Sequence, residues 1–253
     1  KKTSNIPQTI KTEINKIPEK FLFLYVGHWL KGKIGQDRKD VGGLIKTFCE
    51  AFKNKKNAPA LLLKTSGATF SVLDREEMIK KVAEVKATIV KASLLPSIYL
   101  LHGDLFPDEM NGLYNHPKVK AHITFTKGEG FGRPLLEASM SEKPIIASDW
   151  SGQRDFLNKS LCTLLPGALT KVDESAVWEG VIEKDASWFT VNYQYASKVM
   201  QNIFSNYKDY KLKAVKQRSI NRGKFSFVAM QKKFDKILSE YLPEFPKEVD
   251  LKL

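Results

Sequence analysis

The sequence predicts an α/β fold: a doubly wound, Rossmann-like parallel sheet of about six strands with helices on both faces. Short, continuous apolar runs recur along the 253 residues, as expected of strands that a parallel sheet buries on both faces. Segments with helical spacing of apolar residues separate these runs, which is the alternation typical of α/β domains. A glycine-rich loop joins one strand to one helix. The chain is long enough to bury one sizeable core.

The six predicted strands allow a ligand site to be placed. They are residues 21–26, 60–64, 97–101, 121–125, 144–148 and 161–165. If their order in the sheet is 3-2-1-4-5-6, the first and fourth strands are neighbours where the order reverses. Ligands bind beyond the carboxyl ends of the strands at such a point. The loops that follow these two strands begin at Gly27 and Thr126, so we expect the chemistry to lie there.

Helices are predicted between the strands. Their expected ranges are 40–52, 74–91, 107–115 and 135–142, with another short helix near 154–157. Asp74 and Glu77 suggest a capping box for the second of them. After Pro166 the pattern changes, and we expect extra C-terminal helices over residues 173–190 and 193–240, broken near Gly223. Most of the aromatic side chains of this region, Trp178 among them, are expected to serve packing rather than to form a platform for a sugar.

Three segments are expected. Residues 1–20 are polar, contain two prolines and lack a clear period, which predicts a linker or extended arm. Residues 21–241 form the domain with its C-terminal helices. Residues 242–253 are expected to be a loose tail.

Composition limits the functional classes. The net charge of +13 is compatible with nucleic acid, an anionic membrane surface or phosphorylated ligands. The basic residues are spread along the chain without an arginine-rich arm or an aromatic-basic motif, so nucleic-acid binding is not expected. Peripheral association with a membrane stays open. The alternative is that the positive charge reflects only a general lysine-rich bias of the proteome. The absence of an apolar run near 18 residues and of a signal-peptide pattern predicts a cytoplasmic protein. Cys49 and Cys162 are expected to be buried thiols, and no clustered His and Asp residues suggest a metal site.

The most informative stretch is the loop from Gly128 to Arg133 with the helix that follows. The glycines on either side of Phe131 let the backbone turn sharply and approach a ligand. Pro134 fits a first helical turn, where its missing N–H costs nothing. Unpaired N–H groups at that helix start favour an anion. On spacing alone, an ordinary strand-to-helix turn with a carboxylate near the helix N-terminus remains an equal alternative.

The run Glu-Gly-Phe-Gly-Arg-Pro-Leu-Leu-Glu-Ala, from Glu129 to Ala138, resembles the signature of the retaining family 4 (group 1) glycosyltransferases. In that family it lies in the C-terminal, nucleotide-sugar-binding half of the GT-B fold. Residues 145–157 are also similar to the strand and turn that follow the motif, and a weaker likeness spans residues 21–241. The family has two Rossmann-like domains, and the strands here account for one. The resemblance therefore implies that the N-terminal acceptor domain is absent from this sequence, either because a domain was cut out or because the protein is naturally split.

The resemblance implies transfer of a sugar, with retention, from a nucleotide-diphosphate sugar to an unknown acceptor (a glycan, lipid or protein), with no cofactor or metal. Glu129 would contact the transferred sugar, Lys39 would stabilise the leaving diphosphate, and Glu137 would accept hydrogen bonds from the ribose. Glu129 and Lys39 are the catalytic candidates. The donor-binding candidates are Gly27, His28, Arg38, Lys39, Lys64, Leu105, Glu129, Gly130, Phe131, Gly132, Arg133 and Glu137.

One departure from the family and several alternatives stay open. His28 stands where the family has an arginine, and Arg38, Lys31, Lys33 or the backbone of Gly27 are the candidates to compensate. Without its partner domain, or a partner chain that replaces it, the domain is expected to be inactive. The alternatives are a GT-B-type nucleotide-sugar epimerase, a non-catalytic module that binds a nucleotide sugar or a partner protein, and a basic nucleic-acid-binding protein. The donor base, donor sugar, acceptor and oligomeric state are not determined.

Overall fold

Six parallel strands form the central sheet of the protein, seen in a computed structural model that describes residues 3–67 and 69–243. The strands are β1 (Leu22–Val26), β2 (Ala60–Lys64), β3 (Ile98–Leu101), β4 (Val119–Ile123), β5 (Ile145–Ser148) and β6 (Thr163–Leu165). Their order is β3-β2-β1-β4-β5-β6, and all neighbours are parallel. The predicted fold class is confirmed, and the strand order is the one that the placement of the ligand site assumed.

Helices cover both faces of the sheet. The helices are α1 (Gln8–Asn15), α2 (Val41–Phe52), α3 (Val72–Ala87), α4 (Pro107–Asn115), α5 (Arg133–Ser139), α6 (Tyr193–Ser205), α7 (Tyr207–Phe225) and α8 (Phe227–Tyr241). Apolar residues of α2, α3 and α6 form one core cluster on the sheet, and those of α1, α4 and α5 form the other. Phe23 and Tyr25 of β1 belong to the first cluster, whereas Leu22 and Leu24 belong to the second. Burial on both faces explains why β1 is apolar throughout.

The segment before β1 is not the linker that the sequence analysis expects. It contains α1, and Ile6, Ile10, Ile14 and Ile17 are buried in the second core cluster. These isoleucines recur every three or four residues, which is the helical period. The prediction of an arm was wrong because the polar residues and two prolines around them hid this spacing. The tail expected from residue 242 lies outside the described residues from position 244 onward.

The helix expected over residues 173–190 is also wrong. Strand β7 (Gly167–Lys171) pairs antiparallel with β8 (Ser187–Val191), and a single 3₁₀ turn (Glu174–Ala176) lies between them. The run Ser-Trp-Phe-Thr-Val of β8 is aromatic and β-branched, a composition typical of strands. The N–H of Phe189 donates to the carbonyl of Lys127 at 3.1 Å, which fastens the hairpin to the loop after β4.

Several helix limits differ from the prediction. Ser71 caps α3, because its hydroxyl accepts a hydrogen bond from the N–H of Asp74 at 3.1 Å, so the expected start at Asp74 with a Glu77 capping box was wrong. Helix α7 continues through Gly223, and the break falls at Ser226, the N-cap of α8. A further break falls at Asn206. Across residues 3–67 and 69–243, every helix is too short or too polar to cross a bilayer.

Candidate functional site

A cavity of about 750 Å³ opens at the carboxyl ends of β1, β2 and β3, against α4 and the start of α5. We name it the Glu137 cavity. The predicted site residues that line it are Gly27, His28, Arg38, Lys39, Lys64, Leu105, Arg133 and Glu137. These residues come from five separate segments of the chain. The topology therefore brings together most of the side chains that the sequence analysis selected, at the point where strand order reverses.

The two residues predicted to be catalytic are in direct contact. The ammonium group of Lys39 forms an ion pair with Oε1 of Glu129. An Nη atom of Arg38 lies 3.9 Å from Oε2 of Glu129 and donates to the carbonyl of Gly128 at 3.0 Å. The side chains of Lys39 and Glu129 are 11% and 15% exposed. Burial lowers the pKa of Lys39 despite the opposing attraction of Glu129. Arg38 and Lys39 of this cluster line the cavity, and Glu129 is connected to it through these two cations.

A buried network holds the two loops that carry this pair. The Lys127 ammonium lies 3.7 Å from Oδ2 of Asp40 and donates to the hydroxyl of Thr190 at 2.9 Å. The hydroxyl of Tyr193 donates to the same carboxylate oxygen at 2.7 Å. Burial raises the pKa of Asp40 to about 7, although Lys127 and Tyr193 act in the other direction.

The position of this network in the chain explains its effect on the site. Asp40 directly follows Lys39, and Lys127 lies two residues before Glu129. The N–H of Lys127 also donates to the carbonyl of Arg38 at 2.9 Å. The relative position of the two loops, and with it the Lys39–Glu129 pair, is thus set by contacts beneath the cavity surface.

The glycine loop is supported from the turn after β5. The N–H of Gly152 donates to the Glu129 carbonyl at 3.1 Å, and the hydroxyl of Ser151 accepts from the Glu129 N–H at 2.9 Å. A side chain at Gly152 would overlap the carbonyl oxygen of Gly130, so the close approach requires glycine. Gly132 adopts a left-handed φ of 89° immediately before α5.

Four predicted residues of this loop, Glu129 to Gly132, do not line the cavity. Phe131 packs against Phe156 and Phe225, with ring centroids 5.1 and 6.2 Å away. Gly130 and Gly132 offer only backbone groups, and these lie outside the lining of the cavity. Within the described parts of the chain, no hydrogen bond uses the N–H of Gly130, Phe131 or Gly132. These groups are therefore free to donate to an anion.

The far end of the cavity contains a polar group that the sequence analysis missed. The hydroxyl of Tyr114 is buried close to the Glu137 carboxylate, but among the described residues it makes no hydrogen bond of good geometry. Burial raises its pKa, and Glu137 raises it further through its charge and as a nearby acceptor. Nε of Arg133 lies 3.3 Å from Oε1 of Glu137 on the rim. Asn111 and Tyr114 are three residues apart on α4, and this spacing on the helix that follows β3 was the available signal.

His28 and Lys64 both line the cavity, but His28 is exposed and Lys64 is buried. The His28 ring is exposed, and its Nδ1 lies 3.2 Å from the hydroxyl of Ser66. The ammonium group of Lys64 donates to the carbonyl of Gly103 at 2.6 Å and lies 5.2 Å from the ring centre of Phe70. Burial lowers the pKa of Lys64. Among the described residues, no group of three or more His, Cys, Asp or Glu side chains is arranged to hold a metal ion.

Solved structures show which fold this is. The C-terminal domain of the group 1 family glycosyl transferase LpcC from Francisella tularensis matches with a TM-score of 0.59 and 15% identity, over 89% of this chain and 95% of that domain. The fold is that of the C-terminal half of a GT-B glycosyltransferase. The resemblance inferred from the motif is thus confirmed for the fold. No protein-family model matches the chain, and no curated protein is similar enough in sequence to count as a relative.

Two larger proteins match over part of their length. Anabaena HepE, solved in complex with UDP and glucose, has a TM-score of 0.62 and 15% identity, over 94% of this chain and 53% of HepE. The pneumococcal O-GlcNAc transferase GtfA, solved with UDP and GlcNAc, has a TM-score of 0.55 and 19% identity, over 89% of this chain and 37% of GtfA. The chain therefore spans about half the length of HepE and less of GtfA.

Proposed function

We propose that this chain is the donor-binding half of a retaining glycosyltransferase, which takes a sugar from a nucleotide-diphosphate sugar. One observation carries the proposal. Lys39, which forms a half-buried ion pair with Glu129, and Glu137 line one cavity at the switch point of the sheet, beside a loop whose N–H groups are unpaired. The UDP complexes of HepE and GtfA, which share the fold, make UDP-sugars the first donors to test.

The lining suggests how the donor lies. The Glu137 carboxylate accepts hydrogen bonds from the ribose hydroxyls, and the buried Tyr114 hydroxyl gains a partner from the nucleoside. The loop at Leu105 passes the base with its backbone. The diphosphate lies over the N–H groups of residues 130–132, with Lys39 and Arg38 as cations. Preorganised donors of this kind stabilise charge that develops on a leaving group.

The Lys39–Glu129 pair changes partner during this cycle. In the free chain each charge compensates the other. The diphosphate offers Lys39 a stronger anionic partner, which releases Glu129 to orient the hydroxyls of the sugar and to offset positive charge on its ring. The bond from the anomeric carbon to the diphosphate then breaks, and its electron pair stays on the phosphate. The acceptor hydroxyl attacks from the same face and passes its proton to that phosphate.

A second, acceptor-binding half completes the enzyme in this proposal, either in the same polypeptide or as a separate chain. The match to about half of HepE supports it. Helix α8 also supports it, because none of its residues is buried and Phe227 is 83% exposed. A helix with a large exposed apolar face needs a covering surface. The isolated chain is accordingly expected to bind a donor and to transfer nothing.

Calorimetric titration with UDP, GDP and ADP tests the donor site. At least one diphosphate should bind. Glu137→Gln should weaken it by about tenfold or more, because a charge-assisted hydrogen bond contributes about 1.5–3 kcal/mol. Lys39→Met should weaken it by at least as much. The matched control is Glu76→Gln. Glu76 is an exposed carboxylate on α3, outside the Glu137 cavity and the loops that form it, so this change should leave the affinity unchanged.

Two results would contradict the assignment. One is that none of the three diphosphates binds to the folded chain at millimolar concentration. The other is that a nucleotide binds with the same affinity to the native chain, to Glu137→Gln and to Lys39→Met, which would place its site elsewhere.

A further inference from the structure

Phe70 is an aromatic residue in the lining of the Glu137 cavity, on the loop that joins β2 to α3. It is 45% exposed, although its ring has two close neighbours. The ammonium group of Lys64 lies 5.2 Å from the centre of the ring, and the ring of His102 packs against it with the two planes inclined by 70°. The part of the ring that stays exposed is apolar surface that a ligand in the cavity can cover.

The loop that carries Phe70 is fixed at both of its ends. On one side, the N–H of Gly67 donates to the carboxylate of Asp74, with 3.0 Å to Oδ1. On the other side, Ser71 is the N-cap of α3. Oδ2 of Asp74 lies 2.7 Å from Nε2 of His102, and the side chains of this pair are 8% and 6% exposed. A side chain on a loop held in this way loses little freedom when a ligand binds, which is the advantage of a preorganised site.

The neighbours of Phe70 place it beside the loop after β3, the loop that the proposed function assigns to the nucleobase. His102 belongs to that loop, and the ammonium group of Lys64 donates to the carbonyl of Gly103 at 2.6 Å. Leu105, three residues after His102, lines the same cavity as Phe70. The loops after β2 and β3 are therefore joined at this part of the cavity, and Phe70 gives it an exposed aromatic surface.

The base is the part of a nucleotide that matches such a surface. Ribose hydroxyls and a diphosphate require hydrogen-bonding groups or cations, and a phenyl ring supplies neither. Every base has a planar π-face that stacks on aromatic side chains, and this stacking does not depend on the edge of the base. An aromatic platform therefore strengthens the binding of uracil, guanine and adenine nucleotides alike.

We propose that Phe70 is the platform on which the base of the donor stacks. It makes the cavity select sugars carried on a nucleotide over sugars carried on a diphosphate without a base, such as a lipid diphosphate. The inference rests on the proposed function, because it takes the ribose to lie on Glu137 and the diphosphate over the glycine loop. Phe70 is also a residue that the sequence analysis did not select, since an aromatic side chain in a loop has no periodic pattern around it.

Calorimetric titration of the 253-residue chain with UDP, GDP and ADP tests the platform. Phe70→Ala should weaken each diphosphate that the native chain binds by about fivefold or more, because one stacking contact is lost. Phe70→Tyr keeps an aromatic ring at this position and should retain the native affinity. Leu73→Ala is the matched control. Leu73 is 77% exposed on α3 and lies outside the lining of the cavity, so its loss should leave the affinity unchanged.

Two further measurements distinguish stacking from mere support of the loop. A base proton that lies over an aromatic ring is shifted upfield in the proton NMR spectrum. The H6 proton of uracil, or the H8 proton of a purine, should shift upfield on binding to the native chain and to Phe70→Tyr, and less on binding to Phe70→Ala. Inorganic pyrophosphate, which has no base, should bind to the native chain more weakly than the diphosphate that binds, and its affinity should not respond to Phe70→Ala.

The outcomes separate this inference from the proposed function. If a diphosphate binds and Glu137→Gln weakens it but Phe70→Ala does not, the platform is overturned and the donor site stands. A loss of affinity that Phe70→Tyr shares with Phe70→Ala also overturns it, as does an upfield shift of the base proton that Phe70→Ala leaves unchanged. Pyrophosphate that binds as tightly as the nucleotide has the same consequence. If none of the three diphosphates binds to the folded native chain, the proposed function fails, and the assignment of Phe70 fails with it.

Discussion

Asp40 is completely buried at the start of α2, where it faces Lys127 and accepts a hydrogen bond from Tyr193. Burial raises its pKa to about 7. In the unfolded chain the same carboxyl group has a pKa near 4. Between these two values the folded chain binds one proton more than the unfolded chain. The free energy of unfolding should therefore fall as the pH rises through this window, by about 1.4 kcal/mol per pH unit, and stay level above about pH 7.

The variant Asp40→Asn removes this contribution and keeps an acceptor for the Tyr193 hydroxyl. The unfolding free energy of the variant minus that of the native chain should rise by about 2 kcal/mol between about pH 5 and about pH 6.5. Above about pH 7 the difference should stop changing. Asp37, whose pKa burial also raises, is present in both proteins, so its contribution largely cancels in the difference.

Urea unfolding followed by tryptophan fluorescence at a series of pH values measures this difference. Asp235→Asn, an exposed carboxylate on α8, is the matched control and should give a difference that does not change with pH. If the difference in unfolding free energy between Asp40→Asn and the native chain does not change over the same pH window, the reasoning is refuted. The Asp40 carboxyl group would then be ionised throughout the window, and burial would not raise its pKa.

Three further substitutions test the local structure of the fold, each by the free energy of unfolding in urea. Gly152→Ala should lower it by about 1–3 kcal/mol, because the new methyl group overlaps the carbonyl oxygen of Gly130. Gly223→Ala should raise it by about 0.5–1 kcal/mol, because this position is inside α7 and nothing lies within 4 Å. Gln217→Met should lower it by about 1–3 kcal/mol, because the buried amide donates to the carbonyl of Phe156 at 2.7 Å.

Each of these predictions has a result that contradicts it. Unchanged stability of Gly152→Ala would mean that the turn after β5 moves freely away from the glycine loop. Destabilisation by Gly223→Ala would show that α7 is interrupted there, as the sequence analysis expects, and not at Ser226. A neutral Gln217→Met would mean that the carbonyl of Phe156 finds another donor without cost.

The sheet was predictable because burial on both faces makes strands such as β1 apolar without interruption. Leu61 and Leu63 of β2 enter one core cluster and Leu62 enters the other, so no polar position interrupts the run. Strand β7 lacks this signal, since all five of its residues are exposed. A hairpin that lies outside the main sheet follows no alternation of strand and helix. The chain after Pro166 therefore looked helical when its composition alone was considered.

The candidate site was predictable where residues belong to the strand ends or to the motif. Lys39 and Glu129 were both selected, yet their contact spans ninety residues and depends on the buried Asp40–Lys127 network, which the apolar pattern does not indicate. Tyr114 was missed because a tyrosine on a helix is usually a packing residue. Its orphaned hydroxyl is visible only once α4 is placed beside α5.

The measurement that tests the central claim most directly is a crystal structure of the chain with bound UDP. We expect the ribose hydroxyls on the carboxylate of Glu137 and the diphosphate over residues 130–132, within hydrogen-bond distance of Lys39. Lys39 should also have left Glu129, to which it is paired in the free chain. UDP bound anywhere outside the Glu137 cavity, or bound there with the Lys39–Glu129 pair intact and the diphosphate directed away from the glycine loop, would contradict it.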